Sequence, residues 1–483
     1  MTDVEGIKPA VQHSETGQMD KPGDSTITVS KKMEAHVRKK IDRHMLPLVC
    51  VLYILSYLDR GNIGNAKTAG AQDDLGLSDS QWAWVLNSFY ICYTLFEWTT
   101  LLWKLLPAHI YISALCVLRR YLYRNRQEYG RLCACRAVLG ILEAAFSAGA
   151  PYYLSLFYQR RELGLRVSIL IGMSPLANCF AASLAYGISQ ATASVEPWRL
   201  ILLIEGAPTI IVAPFVYLFL PDSPQAAKFL SDEEKEASVA RLGTRDTTAK
   251  TRLNWKQVTA GLGDYQPYVH ALIHFCCNYS FAGLANFLLT IVQNLGYSSI
   301  KAQGLTAPPY AAAFCLCIAA AFFSDRFGHR GFVIAGCSAM GGVGYLLLAT
   351  IEESEKSNVR YLGIWFAVMG IFPCLTLNIT WLLNNQGGET KRGIGLAIIA
   401  ILGQCSSFLS STLYPKTNAP YFVKGCATGC ALTFMITLLS LGLHFKLQHE
   451  NRKRDREFGP VEDGEQLDVT QMGNKHPKFR YLA

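Results

Sequence analysis

Charged residues are scarce in this sequence: Asp, Glu, Lys and Arg make up only 17% of its 483 residues, against 51% hydrophobic residues. The apolar residues gather in blocks of roughly 20, which is the length of helix that crosses a bilayer core of about 30 Å. This pattern excludes an ordinary soluble protein and predicts a polytopic protein of the lipid bilayer. The net charge of +9 then indicates Lys and Arg in cytoplasmic loops rather than a surface that binds nucleic acid.

Several motifs with known chemistry are absent as well. The sequence has no GxxxxGK[ST] loop, so ATP is not the expected energy source. It also lacks an HExxH motif, a nucleophile elbow and paired CxxC motifs, so we expect no enzyme activity, no catalytic residues, no metal and no cofactor. The 15 Cys lie mostly in apolar blocks, where a free Cys packs as a small hydrophobic residue. We expect no cleavable signal peptide, because the first 44 residues are polar.

Eleven apolar blocks are long enough to cross a bilayer, and a long polar segment separates the fifth from the sixth. This break near the middle predicts an all-α membrane protein built from two six-helix bundles. The predicted spans are 45–65, 82–102, 131–157, 165–189, 198–220, 266–291, 302–323, 331–350, 360–383, 392–413 and 421–445. The expected units are a cytoplasmic N-terminal tail at 1–44, an N-terminal bundle at 45–220, a cytoplasmic central loop at 221–265, a C-terminal bundle at 266–445 and a cytoplasmic C-terminal tail at 446–483.

The distribution of Lys and Arg between the blocks requires a twelfth crossing, between Pro107 and Gly130. Only then do all the basic loops and both termini lie on the cytoplasmic side. The region is unusual, because residues 119–126 read RRYLYRNR and carry four Arg. Each charge at the bilayer centre costs about 2.5–3.5 kcal/mol. Two explanations remain open: a short third span with its Arg cluster at the outer surface, or an error in the gene model.

Two polar segments have predictable local structure. Residues 1–44 have the composition of a disordered tail that becomes basic toward its end. The central segment SDEEKEASVARLGTRDTTAKTR predicts a short amphipathic helix, capped at its start by Ser231 and followed by a linker.

An acid and a base stand side by side at the end of the first apolar block, as Asp59 and Arg60. The 14 residues before them, 45–58, make only about 21 Å of helix at 1.5 Å per residue, which is short of a full span. We therefore expect the helix to continue to about Asn65 or Ala66, which places both charges inside the membrane. The alternative is that 45–58 is the whole span and that the pair lies at the outer interface.

A second charged site lies in the predicted span 131–157. Arg136 and Glu143 are seven residues apart, so two helical turns place them on the same face. Ionisable residues inside a span face an interior cavity and pair with one another, and Arg offers a planar fork that binds a carboxylate. Two Arg and two carboxylates in one half therefore predict an anion site joined to a proton site. The alternative is a pair of salt bridges that only hold helices together.

Other polar residues in the spans are weaker candidates. His270, His274 and Asn278 recur at every fourth position of the span 266–291, so they share one helix face. They line either the cavity or a face packed within the bundle. Asn378, in a later span, is a further candidate for the cavity lining.

Several longer segments follow one another in a characteristic order. The hallmark is YLDRGNIGNA at the end of the first span, and the others are LNSFYICYTLFEW, RAVLGILEAAFSAGAPYYLSLFY, PWRLILLIEGAPT, FLPDSPQAAKFL, LGYSSIKAQGLTAPPYA, SDRFGHRG and NNQGGETKRGIGLAI. Together they resemble the anion:cation symporters of the major facilitator superfamily, in particular the fungal branch of allantoate, nicotinate and pantothenate permeases. The resemblance covers most of residues 45–425 and fails at 119–126, where relatives have an apolar helix.

The resemblance implies a major facilitator fold and the uptake of a small organic anion, a carboxylate such as a vitamin or a ureide acid. The resemblance further implies that protons drive this uptake by alternating access. It also implies that Arg60, Arg136 and Tyr57 contact the substrate. Asp59 and Glu143 would take part in proton coupling.

The same resemblance implies a gating loop formed by Asp325, Arg326, Gly328 and Arg330. The expected partners are the anion, the proton and the lipid bilayer, and the chain is expected to act as a monomer in the plasma membrane. Two alternatives remain open. One is an exporter of an acidic secondary metabolite, which would use the same residues in reverse. The other is a non-transporting sensor or an inactive relative, because of the altered third span.

Overall fold

The computed structural model describes residues 30–97, 129–189, 196–242, 255–352, 357–387, 389–414, 420–460, 474 and 476–483. Within these residues the protein is all-helical and has no β-strand. The helices are α1 (Lys31–His44), α2 (Leu46–Thr68), α3 (Ala71–Asp74), α4 (Asp79–Phe96), α5 (Tyr129–Ser155), α6 (Arg160–Ser189), α7 (Pro197–Phe219), α8 (Asp232–Arg241), α9 (Trp255–Leu262), α10 (Tyr265–Gln293), α11 (Ser299–Phe327), α12 (Arg330–Thr350), α13 (Ser357–Asn385), α14 (Glu389–Leu413) and α15 (Val423–Phe458).

Most of the longer helices are apolar enough to cross a membrane. Among the described residues nine helices meet that requirement, or ten if the two parts of α10, which are bent by 53° at their junction, form one span. In such spans each helix satisfies its own backbone hydrogen bonds, so no peptide group has to face lipid unpaired. The Arg-rich segment 119–126 lies outside the described residues, and the crossing predicted there stays a prediction.

Two groups of helices surround the middle of the molecule. One contains α2 and α4–α7, and the other contains α10–α15. They meet where α6 packs against α11 and α13, and where α4 packs against α14. One continuous apolar core includes residues of both groups, among them Tyr57, Ile171, Phe281 and Phe372. The middle of the molecule is therefore the place where both groups contribute to a common site.

The expectation of a disordered tail over residues 1–44 is wrong for its last part, because residues 31–44 form the helix α1. Ser30 caps this helix by accepting a hydrogen bond from a backbone N–H of the first turn. Val37 and Ile41, one turn apart, are both fully buried. A short polar helix is only marginally stable alone, and burial against a neighbour supplies the missing stability.

The partner of α1 is α8, the helix predicted in the central segment. Its predicted cap is confirmed: the Ser231 side chain accepts from the Glu234 backbone N–H, and the Ser231 backbone N–H donates to Glu234 Oε2. Lys40 Nζ of α1 lies 2.6 Å from Glu234 Oε2. A second ion pair joins Asp42 of α1 to Arg166 of α6 at 2.7 Å. We call the end of the molecule where these residues lie the α1 end.

The helix α2 continues through the charged pair, as predicted. It extends from residue 46 to residue 68, and Asp59 is only 2% exposed. This excludes a helix that stops at residue 58 and leaves Asp59 and Arg60 at an interface with water.

The last described residues, 476–483, fold back against α13 and α15, and we call them the docked segment. Trp381 Nε1 and Asn385 Nδ2 both donate to the Leu482 carbonyl, at 2.6 and 2.8 Å. The Leu482 N–H donates in return to Asn385 Oδ1 at 2.8 Å. Paired main-chain and side-chain bonds of this kind hold an irregular segment in one position.

Candidate functional site

The basic residue of the charged pair on α2 binds an acid on α5. Arg60 Nε donates to Glu143 Oε2 at 2.9 Å. The Glu143 side chain is fully buried, and that of Arg60 is 12% exposed. Sequence analysis placed Glu143 on the same helix face as Arg136, but the structure pairs it with an Arg from a neighbouring helix. The attraction between two such poorly hydrated charges is large, and so is the cost of removing both from water.

Three aromatic rings surround the guanidinium group of Arg60. Its Cζ lies 4.4 Å from the ring centre of Tyr93, 4.9 Å from that of Tyr57 and 5.7 Å from that of Phe89. The negative face of an aromatic ring attracts a cation, most strongly where water is excluded. The rings therefore stabilise the charged form of Arg60 and hold its side chain in one place.

A glycine on α5 allows the two rings of α4 to come so close. A Cβ atom at Gly140 would lie 2.4 Å from the backbone oxygen of Phe89 and 3.1 Å from the backbone nitrogen of Tyr93. Small residues at a helix contact let the two backbones approach. The position of the rings around Arg60 therefore depends on the absence of a side chain at residue 140.

The second Arg of the site lies beside the same turn of α2. Arg136 Nη1 donates to the backbone oxygen of Asp59 at 3.4 Å. Arg136 is 7% exposed and Asp59 is 2% exposed. The structure thus brings Asp59, Arg60, Arg136 and Glu143 into one buried cluster between α2 and α5. Their roles in substrate binding and proton coupling remain predictions.

A small cavity lies beside Arg60, where the two groups of helices meet. Its free volume is about 20 Å³, which is enough for one water molecule. Both groups of helices line it, so a molecule held here touches both, and a movement of one group against the other changes its size. The lining residues are Tyr57, Arg60, Gly61, Tyr90, Asn178, Asn278, Phe281, Ala282, Ala285, Gln404 and Ser407.

Of the three polar residues proposed for the cavity, Asn278 lines it, whereas His274 and Asn378 do not. Asn378 Oδ1 lies 2.7 Å from His270 Nδ1, and Asn378 Nδ2 donates to the His270 carbonyl at 3.0 Å. This reciprocal pair joins α10 to α13. The ring of His274 packs against Gly403 of α14, where a Cβ atom would lie 2.3 Å from His274 Cδ2. Both side chains therefore serve contacts between helices.

The predicted gating residues lie where α11 ends and α12 begins. Gly328 ends α11 with a φ of 69°, a left-handed conformation that favours glycine. Arg330 Nη2 lies 2.6 Å from Asp325 Oδ1, and Arg326 is exposed. A Cβ atom at Gly164, near the start of α6, would lie 2.6 Å from both Asp325 and Arg330. This loop therefore touches the other group of helices at the α1 end.

The docked segment reaches the same loop. The backbone N–H of Arg330 donates to the carbonyl of Ala483 at 2.8 Å. Arg330 of the predicted gating loop thus touches both the start of α6 and the docked segment at the α1 end. Any separation of the two helix groups there has to break contacts made by this loop.

Sequence analysis missed most of the polar residues that the group of helices α10–α15 contributes to the cavity. Gln404 and Ser407 lie in α14, and both line the cavity. A signal was present, because a buried amide within an apolar span is uncommon and faces the interior. The aromatic residues Tyr90 and Phe281 gave no such signal, since rings are frequent throughout apolar spans.

The described residues contain no group of three or more His, Cys, Asp or Glu side chains that could hold a metal ion. The fourteen Cys within the described ranges are free thiols. Several of them, such as Cys276 and Cys277, are buried, where a thiol packs as an apolar group. The polar chemistry of the described site thus lies in its charged and amide side chains.

Comparison with protein families matches the chain to the model of the Major Facilitator Superfamily over residues 49–411. The Major facilitator-type transporter hxnP of Emericella nidulans is 30% identical over 499 aligned positions, covering 100% of this chain and 99% of that protein. The High-affinity nicotinic acid transporter of Saccharomyces cerevisiae is 28% identical, covering 95% of this chain and 87% of that protein.

The helical arrangement is also similar to that of solved structures. The MFS proton:xylose symporter XylE bound to 6-bromo-6-deoxy-D-glucose superimposes with a TM-score of 0.63, covering 86% of this chain and 96% of that chain. The two sequences are only 16% identical, so this likeness concerns the fold alone.

Proposed function

Because the chain belongs to the Major Facilitator Superfamily, we propose that it is a secondary active transporter that takes up a small organic anion together with a proton. Within that superfamily the proposal assigns it to the anion:cation symporters, which work by alternating access. It places the chain in the plasma membrane as a monomer, with both termini in the cytoplasm. The anion, the proton and the surrounding lipid are then its partners.

The observation that carries the proposal is the buried ion pair of Arg60 and Glu143, at 2.9 Å. A substrate carboxylate would bind the same guanidinium fork. While Glu143 is charged, its own carboxylate occupies that fork. When Glu143 takes up a proton its charge disappears, and the guanidinium group becomes available to the substrate. Proton uptake and anion binding therefore favour each other.

Whether proton uptake favours or opposes anion binding decides between symport and antiport. If proton uptake at Glu143 opposed anion binding at Arg60, the binding of one ligand would expel the other, and antiport would result. In the proposed arrangement the two ligands occupy different groups and bind together. Because linkage is reciprocal, the bound anion also promotes protonation of Glu143. A monocarboxylate and one proton then cross the membrane without net movement of charge.

The name of one relative supports the proposed substrate chemistry. Nicotinic acid, named in the transporter of Saccharomyces cerevisiae, is a small carboxylic acid. In the proposal Arg60 and Arg136 hold the substrate carboxylate and Tyr57 contacts the rest of the molecule. Asp59 assists Glu143 in carrying the proton. The loop at 325–330 closes the α1 end while the site is open to the other side.

Uptake of radiolabelled carboxylates, beginning with nicotinate, tests this function in cells that lack their own permease. We expect uptake to rise as the outside becomes more acidic and to stop when a protonophore removes the gradient. Arg60→Ala should reduce uptake at least tenfold, because the carboxylate loses a charged partner worth more than about 1.4 kcal/mol.

A suitable control is Arg199→Ala, since the Arg199 side chain is 54% exposed on α7 and lies outside the site. It should transport like the unaltered protein. Uptake that ignores the pH gradient and survives Arg60→Ala would overturn the proposed mechanism.

A further inference from the structure

The second helix group contributes a polar wall to the cavity, formed by Asn278 of α10 and by Gln404 and Ser407 of α14. Asn278 is 5% exposed and Gln404 is 8% exposed. Amide side chains buried in an apolar span are costly unless they form hydrogen bonds. The hydrogen bonds within the wall therefore decide which of these donors and acceptors remain for a ligand.

The hydrogen bonds within this wall converge on one oxygen atom. Asn278 Nδ2 donates to Gln404 Oε1 at 2.8 Å, and Ser407 Oγ donates to the same oxygen at 3.3 Å. A carbonyl oxygen has two lone pairs, so these two donors saturate it. The amide of Gln404 is thereby fixed in one orientation, in which its Nε2 group is the part that can donate to a ligand.

The walls between this amide and Arg60 are aromatic. Tyr57 and Phe281 meet edge to face, with ring centres 5.8 Å apart and planes at 88°. Tyr57 comes from α2 and Phe281 from α10, so the contact joins the two helix groups. Tyr90 lines the same cavity. Rings in such positions favour a flat ligand over a branched one, because aromatic groups pack best face to edge or offset face to face.

On the basis of the proposed function, we propose that the transported anion is a planar carboxylate that carries a second hydrogen-bond acceptor away from its carboxylate. Arg60 binds the carboxylate, and Gln404 Nε2 donates to the second acceptor, a ring nitrogen or a carbonyl oxygen. The free volume beside Arg60 holds only one water molecule in this structure, so the anion enters when the two helix groups move apart and then bridges them, with one end on α2 and the other on α14. A flat carboxylate without the second acceptor leaves the Gln404 donors unpaired.

This arrangement implies strong selection between two anions of the same shape. A site built to hydrogen-bond a substrate group discriminates against the analogue that lacks it, because the buried donor is then left without a partner. Nicotinate and benzoate are such a pair, since they differ only by a ring nitrogen in place of a CH group. We expect nicotinate uptake to exceed benzoate uptake at least tenfold.

The experiment measures initial uptake of both acids by the full-length protein in proteoliposomes with an inward proton gradient. Gln404→Met keeps the length of the side chain and removes its donors, so the ratio should fall to about one: nicotinate loses a partner, and benzoate no longer leaves a buried donor unpaired. Ser407→Ala removes one of the two bonds that orient Gln404, and should lower the ratio by a smaller factor. Cys405→Ala, at an exposed neighbour, should leave the ratio as it was.

The possible results separate this proposal from the proposed function. A ratio near one in the unaltered protein, with both acids dependent on Arg60, overturns the second contact and leaves anion symport intact. A high ratio that survives Gln404→Met, in protein shown to be folded by its thermal transition, overturns the assignment to Gln404. Uptake of neither acid, or uptake that does not depend on Arg60, overturns the anion function and this proposal with it.

Discussion

Arg60 Nε lies 2.9 Å from Glu143 Oε2, and this bond joins α2 to α5 across 83 positions of sequence. Removing one member of a buried pair leaves the other charge without a partner, which costs about 3–5 kcal/mol. The pair therefore joins two helices at a contact that is costly to break on one side, and at the same time it occupies the group that a substrate anion would use.

The first prediction concerns Glu143→Gln, which imitates the protonated acid. The variant should still exchange anions between the two sides of the membrane, because Arg60 remains available at every pH. It should not accumulate the anion against a gradient, because no proton is taken up with it. Counterflow and net accumulation, measured in the same proteoliposomes, distinguish the two activities.

Glu236→Gln is the matched control for that substitution, since Glu236 is exposed on α8. It should retain both activities. Loss of counterflow in Glu143→Gln, in protein with a normal thermal transition, would show that the acid serves the binding of the anion itself.

A second prediction concerns Gly140, where α5 touches the backbone of α4. Gly140→Val should lower the free energy of unfolding by about 1–3 kcal/mol, because the added methyl groups overlap the Phe89 backbone. The displaced rings should also weaken uptake through Arg60. Thermal unfolding in detergent and initial uptake measure the two effects.

The comparison variant is Gly187→Ala on α6, where an added Cβ atom would meet nothing within 4 Å. It should be neutral or slightly stabilising, because alanine favours the helix. Equal loss of stability in the two variants would contradict the close contact at residue 140.

A third prediction concerns the pH dependence of the contact between α1 and α8. Burial opposes the charge of Glu234, but the bonds from Lys40 and from the Ser231 backbone, with the charge of His36 nearby, more than compensate, so the pKa of this carboxyl is lowered. A carboxyl with a lowered folded pKa stabilises the fold above its unfolded value, about 4.3. That stabilisation is lost as the pH falls through the lower folded value.

The protection of the α1 backbone against hydrogen exchange, taken relative to the intrinsic rate at each pH, should therefore fall at acidic pH, and Glu234→Gln should show low protection and fast exchange already at neutral pH. We expect the contact to contribute about 1 kcal/mol. Glu233→Gln, at the exposed neighbouring position, should keep the slow exchange. Slow exchange of α1 in Glu234→Gln at neutral pH would contradict this account.

A fourth prediction concerns Asn385, which forms hydrogen bonds to both the N–H and the carbonyl of Leu482. Asn385→Ala should release the docked segment, because two bonds of about 1 kcal/mol each are lost. The amides of residues 476–483 should then exchange faster. Lys453→Ala, on a side chain of α15 that is 68% exposed, should leave the exchange unchanged, and unchanged exchange in both variants would contradict the role of Asn385.

The course of α2 was predictable because it depends on length alone. Fourteen apolar residues are too short for a bilayer, so the helix had to continue past Asp59 and Arg60, and it extends to residue 68. The cap of α8 at Ser231 was predictable for a similar reason, since capping involves residues within one turn of each other.

Two other segments were not predictable in this way. The last part of the N-terminal tail looked disordered because its composition is polar, and its helix depends on burying Val37 and Ile41 against neighbours distant in sequence. The docked segment has no periodic pattern of its own, and its position depends on partners such as Trp381 and Asn385.

Sequence alone predicts that the chain is helical, that it crosses a membrane, and that Asp59, Arg60, Arg136 and Glu143 lie within spans of its first half. Helix formation, span length and helix faces follow from local hydrogen bonds and from the thickness of the bilayer, so residues a few turns apart suffice to predict them. Which Arg binds Glu143 depends on tertiary packing. So does the contact of Asn278 with Gln404, which lie 126 positions apart. Contacts over such distances depend on how whole helices pack, and no local pattern records that.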